Sequence, residues 1–158
     1  MSDKIKYSYE KLTELILQNI EKLQKENFDC IIAISSGGLF PAVLVKNILK
    51  IPMYTIAVSS YSNEKRGDIK PLQWINNNFR NQKILVIDEI DDSGSTLTYT
   101  VDRLQRDNNA KDISIFVIHN RVGNKCNNYI NDIPYFECEK IHTDNWISYP
   151  WKDIVLKK

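Results

Sequence analysis

Ile84-Leu85-Val86-Ile87-Asp88-Glu89-Ile90-Asp91-Asp92-Ser93-Gly94-Ser95-Thr96 changes character after its fourth residue. The opening aliphatics, with Lys83 before them, form a run too short for a helix and typical of a strand buried on both faces of a parallel sheet. Four carboxylates follow within five positions, Asp88, Glu89, Asp91 and Asp92. Crowded at the end of a buried strand, they repel one another and raise their pKa values unless a cation, hydroxyl donors or water compensate them. Ser93, Gly94, Ser95 and Thr96 then offer hydroxyls and backbone N–H groups at the start of a helical stretch, Thr96 to Gln105, where the helix dipole favours an anion. One ligand satisfying both ends carries a phosphate on one side, and hydroxyls with a metal-bound pyrophosphate on the other. A phosphorylated sugar pyrophosphate has that layout. For any single residue, an acidic helix N-terminus capped by Asp92 or Ser93 is an equal reading.

The flanking sequence repeats the alternation of strand and helix. Leu12, Leu15, Ile16, Ile20 and Leu23 recur at helical spacing between Tyr9 and about Lys25. Cys30 to Ile34 reads as a buried strand, Gly37 and Gly38 as a turn, Phe40 to Leu49 as a helix with Pro41 in its first turn, and Met53 to Ser59 as a strand. Tyr61 to Lys70 is polar with a central Gly67 and reads as an exposed connection, while Pro71 to Phe79 is compatible with a short helix. Ile113 to Ile118 adds a further strand. Such an order implies right-handed crossovers, a mostly parallel sheet and a ligand at the carboxyl ends of its strands.

The 158 residues fit one domain, with 21 basic and 20 acidic side chains giving a net charge of +1. That balance provides no long-range field for nucleic acid or an anionic membrane. Cys30, Cys126 and Cys138 are odd in number and lack metal-site or disulfide spacing, as expected in a reducing cytoplasm. The charged N-terminus does not read as a signal peptide, and no apolar run approaches the roughly 20 residues of a membrane span.

The string from Ile84 to Thr96 resembles the motif by which type I phosphoribosyltransferases bind phosphoribosyl pyrophosphate (PRPP), with Ser93 where the family has threonine. Ile31-Ile32-Ala33-Ile34-Ser35-Ser36-Gly37-Gly38-Leu39 resembles their pyrophosphate loop, Ser59-Ser60-Tyr61 the start of their mobile loop, and Asp144-Asn145-Trp146-Ile147-Ser148-Tyr149-Pro150-Trp151 their base-binding hood. Together these are most similar to bacterial xanthine-guanine and hypoxanthine enzymes. The resemblance implies an α/β, type I phosphoribosyltransferase fold, a mostly parallel sheet flanked by helices, in one domain spanning 1–158 with a small C-terminal hood over roughly 124–158. It also implies purine salvage in the cytoplasm by a homodimer or homotetramer, with PRPP and a purine base as partners and Mg2+ as cofactor.

By the same resemblance, Asp92 is the catalytic carboxylate. Asp88, Glu89, Asp91, Ser93, Gly94, Ser95 and Thr96 hold PRPP, with Glu89 touching magnesium that is bound largely through the substrate. Ser35, Ser36, Gly37 and Gly38 form the pyrophosphate loop. Ser60, Tyr61, Arg66 and Lys70, together with Lys65, belong to a lid. Trp146 stacks on the purine, the backbone of Ile147 reads its C2 substituent, and His119 is a candidate base contact. The sequence departs from the family at three points: Ser36 replaces an arginine, His119-Asn120-Arg121 stands where a lysine meets the 6-oxo group, and Lys152 follows Trp151 where an acid is usual. The first two departures favour an alternative, a regulatory module on the same fold that senses PRPP or a nucleotide without catalysis. Against it stand Asp92 and the absence of a basic patch.

Overall fold

A computed structural model describes residues 3–62, 65–154 and 156, apart from the side chains of 60–62 and 65–68. In chain order the elements are β1 (Ile5–Lys6), α1 (Tyr9–Gln24), β2 (Cys30–Ser35), α2 (Leu39–Leu49), β3 (Met53–Ser62), β4 (Lys65–Gln73), β5 (Lys83–Asp91), α3 (Ser95–Asp107), β6 (Asp112–Arg121), β7 (Tyr135–Ile141) and β8 (Ile147–Ser148). The main sheet has six strands in the order β4-β3-β2-β5-β6-β7. All its neighbours run parallel except β3 and β4. The strand carrying the acids, β5, is therefore central, where its carboxyl end opens between two neighbours.

Strand periodicity divides the aliphatic runs between two faces. Ile31, Ala33, Leu85, Ile87, Phe116 and Ile118 meet Leu12, Ile16 and Leu23 of α1 and Ala42 and Val45 of α2. Their sequence neighbours Ile32, Ile34, Ile84, Val86, Ile115 and Val117 meet Leu97, Val101 and Leu104 of α3. Both faces being covered explains why these strands read as unbroken apolar runs. Helix α1 begins at Ser8, whose side chain accepts a hydrogen bond from the Lys11 N–H at 3.1 Å, satisfying one of the unpaired amides of the first turn.

Two expectations are corrected. Residues 65–73 form an edge strand antiparallel to β3, with Ser62 opposite Lys65 and Ser59 opposite Lys70. The charge density that reads as a loop suits a sheet edge, where lysine blunts further pairing and Pro71 is tolerated. Residues 74–79 hold no helix. Instead Trp74 Nε1 donates to Asn108 Oδ1 at 2.9 Å, and Phe79 is fully buried.

The segment assigned to a hood first supplies β7 to the main sheet. It then returns so that β8 pairs in parallel with β1, Ile5 opposite Ile147. Among the described residues, no helix is long and apolar enough to cross a membrane.

Candidate active site

Two turns flank the end of β5. The first, 35–38, joins β2 to α2 and includes a cis Ser35–Ser36 peptide. A Cβ on Gly38 would lie 2.5 Å from the Ile87 carbonyl oxygen and 2.7 Å from that of Ile34, so the turn backbone lies against the ends of β5 and β2 as closely as only glycine permits. A Cβ on Gly37 would collide with the carboxylate of Glu89. The second turn leads into α3 through Gly94, at φ +78°, and a side chain there would also strike the Tyr129 ring. Ser93 Oγ and Ser95 Oγ are 2.9 Å apart beside it, and Ser93, Ser95 and Thr96 are partly accessible.

The four carboxylates do not act as one cluster. Asp88 and Glu89 are both buried and are pushed in opposite directions. Burial, then the neighbouring Glu89 charge, drive Asp88 well above the usual carboxylate range. Burial pushes Glu89 the same way, but the hydrogen bond from Asp88 and the Lys152 ammonium outweigh it and leave Glu89 lowered. Of the two, Asp88 is the one biased toward its neutral form, and Glu89 is the one paired with the Lys152 ammonium.

Asp91, expected at the ligand, is instead turned into the protein, with a fully enclosed carboxylate. Its Oδ2 accepts hydrogen bonds from Tyr129 and Tyr135, each at 2.7 Å, and its Oδ1 lies 2.9 Å from the Lys125 ammonium. Burial and this carboxylate push both phenols up, so they remain donors. Lys125 also donates to the carbonyl oxygens of Asp91 and Asp92 and to Asn120 Oδ1, at 2.9–3.0 Å. The chain after β6 is thereby tied beneath the second turn, an attachment reinforced by Cys126 N–H donating to the Ser93 carbonyl at 2.8 Å.

Asp92 faces outward, with half of its side chain exposed. Its Oδ1 accepts from Arg121 Nε at 2.8 Å. The same guanidinium donates to the carbonyl oxygens of Thr143 and Asn145, immediately before Trp146. One side chain therefore links Asp92 to the C-terminal segment. Trp146 is 54% exposed, a large apolar face open to stacking. The N–H groups of Ile5 and Tyr7 donate to the carbonyls of Trp146 and Ser148, which in a parallel ladder directs the N–H and C=O of Ile147 away from β1.

His119, also expected at the ligand, has a fully buried ring. Nδ1 lies 2.6 Å from the Tyr149 hydroxyl, Nε2 lies 3.3 Å from Glu139, and the Tyr7 ring packs at 4.5 Å between centroids. Burial lowers the imidazole to about 4 against the pull of Glu139, so it is a neutral core residue. Of the lid residues, Lys70 is exposed opposite Ser59, while the side chains of Ser60, Tyr61 and Arg66 lie outside the described residues. Among the described residues, no group of three or more His, Cys, Asp or Glu is arranged to hold a metal ion. Sequence reasoning missed Lys125, Tyr129, Tyr135, and the roles of Arg121 and Lys152. Its only pointer to them was the requirement that crowded acids find compensating donors.

Residues 3–153 match the family model of the phosphoribosyl transferase domain. The chain belongs to the phosphoribosyltransferase family. Among curated relatives, the hypoxanthine-guanine phosphoribosyltransferase of Schizosaccharomyces pombe is 34% identical over 92% of this chain and 87% of its own. The purine phosphoribosyltransferase of Pyrococcus horikoshii superposes with a TM-score of 0.78 at 26% identity, covering 98% of each chain. A Neisseria gonorrhoeae protein crystallised with bound ppGpp superposes with a TM-score of 0.83 at 29% identity, covering 98% of this chain and 92% of its own. The fold is the type I phosphoribosyltransferase fold, with a small C-terminal extension, and its relatives include xanthine-guanine and hypoxanthine-guanine members of the family.

Proposed function

We propose that this phosphoribosyltransferase is a cytoplasmic purine-salvage enzyme that converts guanine, xanthine or hypoxanthine and PRPP to the nucleoside 5′-monophosphate and pyrophosphate. The observation that carries the reading is the position of Asp92. It is a half-exposed carboxylate next to the hydroxyl-rich turn 93–96, held by the same arginine that grips the backbone before the exposed Trp146.

In this reading Ser93, Gly94, Ser95 and Thr96 receive the 5-phosphate at the N-terminus of α3, and Asp88 and Glu89 face the ribose hydroxyls. The glycines of 35–38 let backbone amides approach the pyrophosphate. Trp146 stacks on the purine and the Ile147 backbone reads its C2 edge. Purine N9 forms a bond to the anomeric carbon as the bond to pyrophosphate breaks, and Asp92 accepts the proton released at N7. Its negative charge also stabilises positive charge developing on the sugar.

The donor set fits magnesium only as a passenger of the substrate, because Glu89 offers one ionised carboxylate and, among the described residues, no cluster of protein ligands accompanies it. Glu89 would hold the ion together with oxygens of PRPP, where it would offset the charge of the departing pyrophosphate. The chain acts as one domain whose segment 124–158 serves as hood, residues 60–70 are the lid, and the assembly is a homodimer or homotetramer.

Incubation with PRPP, magnesium and each base in turn tests the proposal. Nucleotide formed from at least one of the three is expected, and no product from any of them refutes it. The Neisseria relative's bound ppGpp supports a second reading, a guanine-nucleotide sensor on this fold. Calorimetric binding of ppGpp without turnover of any base would favour that reading.

A further inference from the structure

The pyrophosphate turn, Ser35-Ser36-Gly37-Gly38, contains no cation, although the group it is proposed to bind carries several negative charges. Directly against it lies Glu89, whose carboxylate fills the space where a Gly37 side chain would stand. An anion docking there meets a second anion, whose side chain is only 8% exposed.

Lys152 lies at this point. Its ammonium is paired with Glu89 Oε1, yet the lysine side chain is 41% exposed. The segment bearing it is anchored beside the turn: Trp151 stacks on Phe40 at 5.3 Å, two residues past Gly38, and on Tyr149 at 4.9 Å. The Lys152 N–H donates to the Tyr149 carbonyl at 3.0 Å, and the ammonium lies 5.5 Å from the Tyr149 ring centroid. The backbone is thus fixed while the charged tip rides on a flexible four-carbon stem.

We infer that Lys152 is the pyrophosphate-binding cation of this site, neutralising Glu89 in the free chain and turning its ammonium to the pyrophosphate oxygens when the substrate docks. This assignment rests on the reading of the site as a PRPP site. It makes the C-terminal segment part of the pyrophosphate pocket as well as of the base pocket. It also explains how a turn without charged side chains can accept so charged a group.

The test is calorimetry on the full chain with magnesium pyrophosphate and, separately, with GMP, comparing wild type, Lys152→Met and Lys152→Arg. Methionine keeps the apolar stem and removes the charge. Pyrophosphate affinity is expected to fall about tenfold or more in Lys152→Met, the weight of one charge-assisted hydrogen bond, while GMP affinity stays within about twofold. Arginine should restore pyrophosphate binding to within about threefold of wild type. Equal losses for both ligands would make Lys152 merely structural and overturn the assignment, as would unchanged pyrophosphate affinity. If the wild type forms nucleotide while Lys152→Met keeps its KM for PRPP, this assignment alone falls. If the wild type neither binds pyrophosphate nor forms nucleotide, the reading of the site falls with it.

Discussion

Exchanging Asp91 for asparagine preserves the shape of an enclosed side chain but not its capacity as an acceptor. In the native chain one oxygen takes two tyrosine hydroxyls and the other faces an ammonium at 2.9 Å. An amide must point its NH2 at one of these donor sets, setting donor against donor and leaving Lys125 without its counter-charge. Breaking a buried ion pair on one side costs about 3–5 kcal/mol. The lower end applies, because Lys125 keeps three other oxygen acceptors. For a chain of 158 residues, where each kcal/mol moves Tm by about 2–4 °C, a loss of about 3 kcal/mol is a fall of about 6–12 °C.

Asp92→Asn should behave in the opposite way. That side chain is half exposed, and Arg121 retains its two backbone acceptors, so the loss stays below about 1 kcal/mol and about 4 °C. Turnover should fall about 10²–10⁴-fold, the usual worth of a proton acceptor, with PRPP affinity retained. Thermal denaturation by circular dichroism and nucleotide formation followed by absorbance read the two effects separately. The reasoning is refuted if Asp91→Asn melts with the wild type, or if Asp92→Asn turns over normally.

Gly38→Ala places a methyl against two carbonyl oxygens that belong to the sheet, so a loss of about 1–3 kcal/mol is expected; chemical denaturation checks it, and an unchanged midpoint would mean that the turn can lift off the strand ends freely. His119, held at about 4 when folded, takes a proton in the unfolded chain near 6.5, so stability should fall as pH drops from about 6.5 to about 4, by up to about 3 kcal/mol. Denaturant titrations across that window should show a flatter slope for His119→Gln, and the same slope in both proteins would remove His119 as its source. Arg121→Gln should release the segment before Trp146 and raise the KM for the base about tenfold while leaving that for PRPP within about twofold; steady-state kinetics with each substrate varied decides it, and a matching rise in both would show a general loss of structure.

The core was legible because its signal is periodic. Aliphatic runs at Ile84–Ile87 and Ile113–Ile118 and the helical spacing from Leu12 to Leu23 specify elements whatever surrounds them, and the structure extends each by only a few residues. β1, β7 and β8 carry no such signal. Two are two-residue bridges that exist only because Ile5 and Ile147 meet across the fold, and β7 is a half-exposed strand with charged positions. β4 was hidden by its own protection, since the residues that keep a sheet edge from pairing further are those that read as loop.

At the site, the sequence located the acids but not where they point, and the reason lies in the strands themselves. Leu85 and Ile87 face α1 and α2, while Ile84 and Val86 face α3. Strict alternation would send Ile90 to the α3 side, yet it packs with the α1 and α2 side. Its partner His119 follows suit, meeting Tyr7 and Tyr149 although Ile118 already faces that side. Both strands thus leave their pleat at the same level. Beyond that point period-two reasoning no longer assigns a face, and adjacent carboxylates separate into a buried pair shifted in opposite directions, an internal anchor and an outward group. The compensating charges come from Arg121 for Asp92, Lys125 for Asp91 and Lys152 for Glu89, at chain separations of 29, 34 and 63. A local reading can state that crowded acids demand cations. Which cations answer is decided by the return of the C-terminal segment across the end of the sheet, and so the same return that completes the fold also sets the charge of the site.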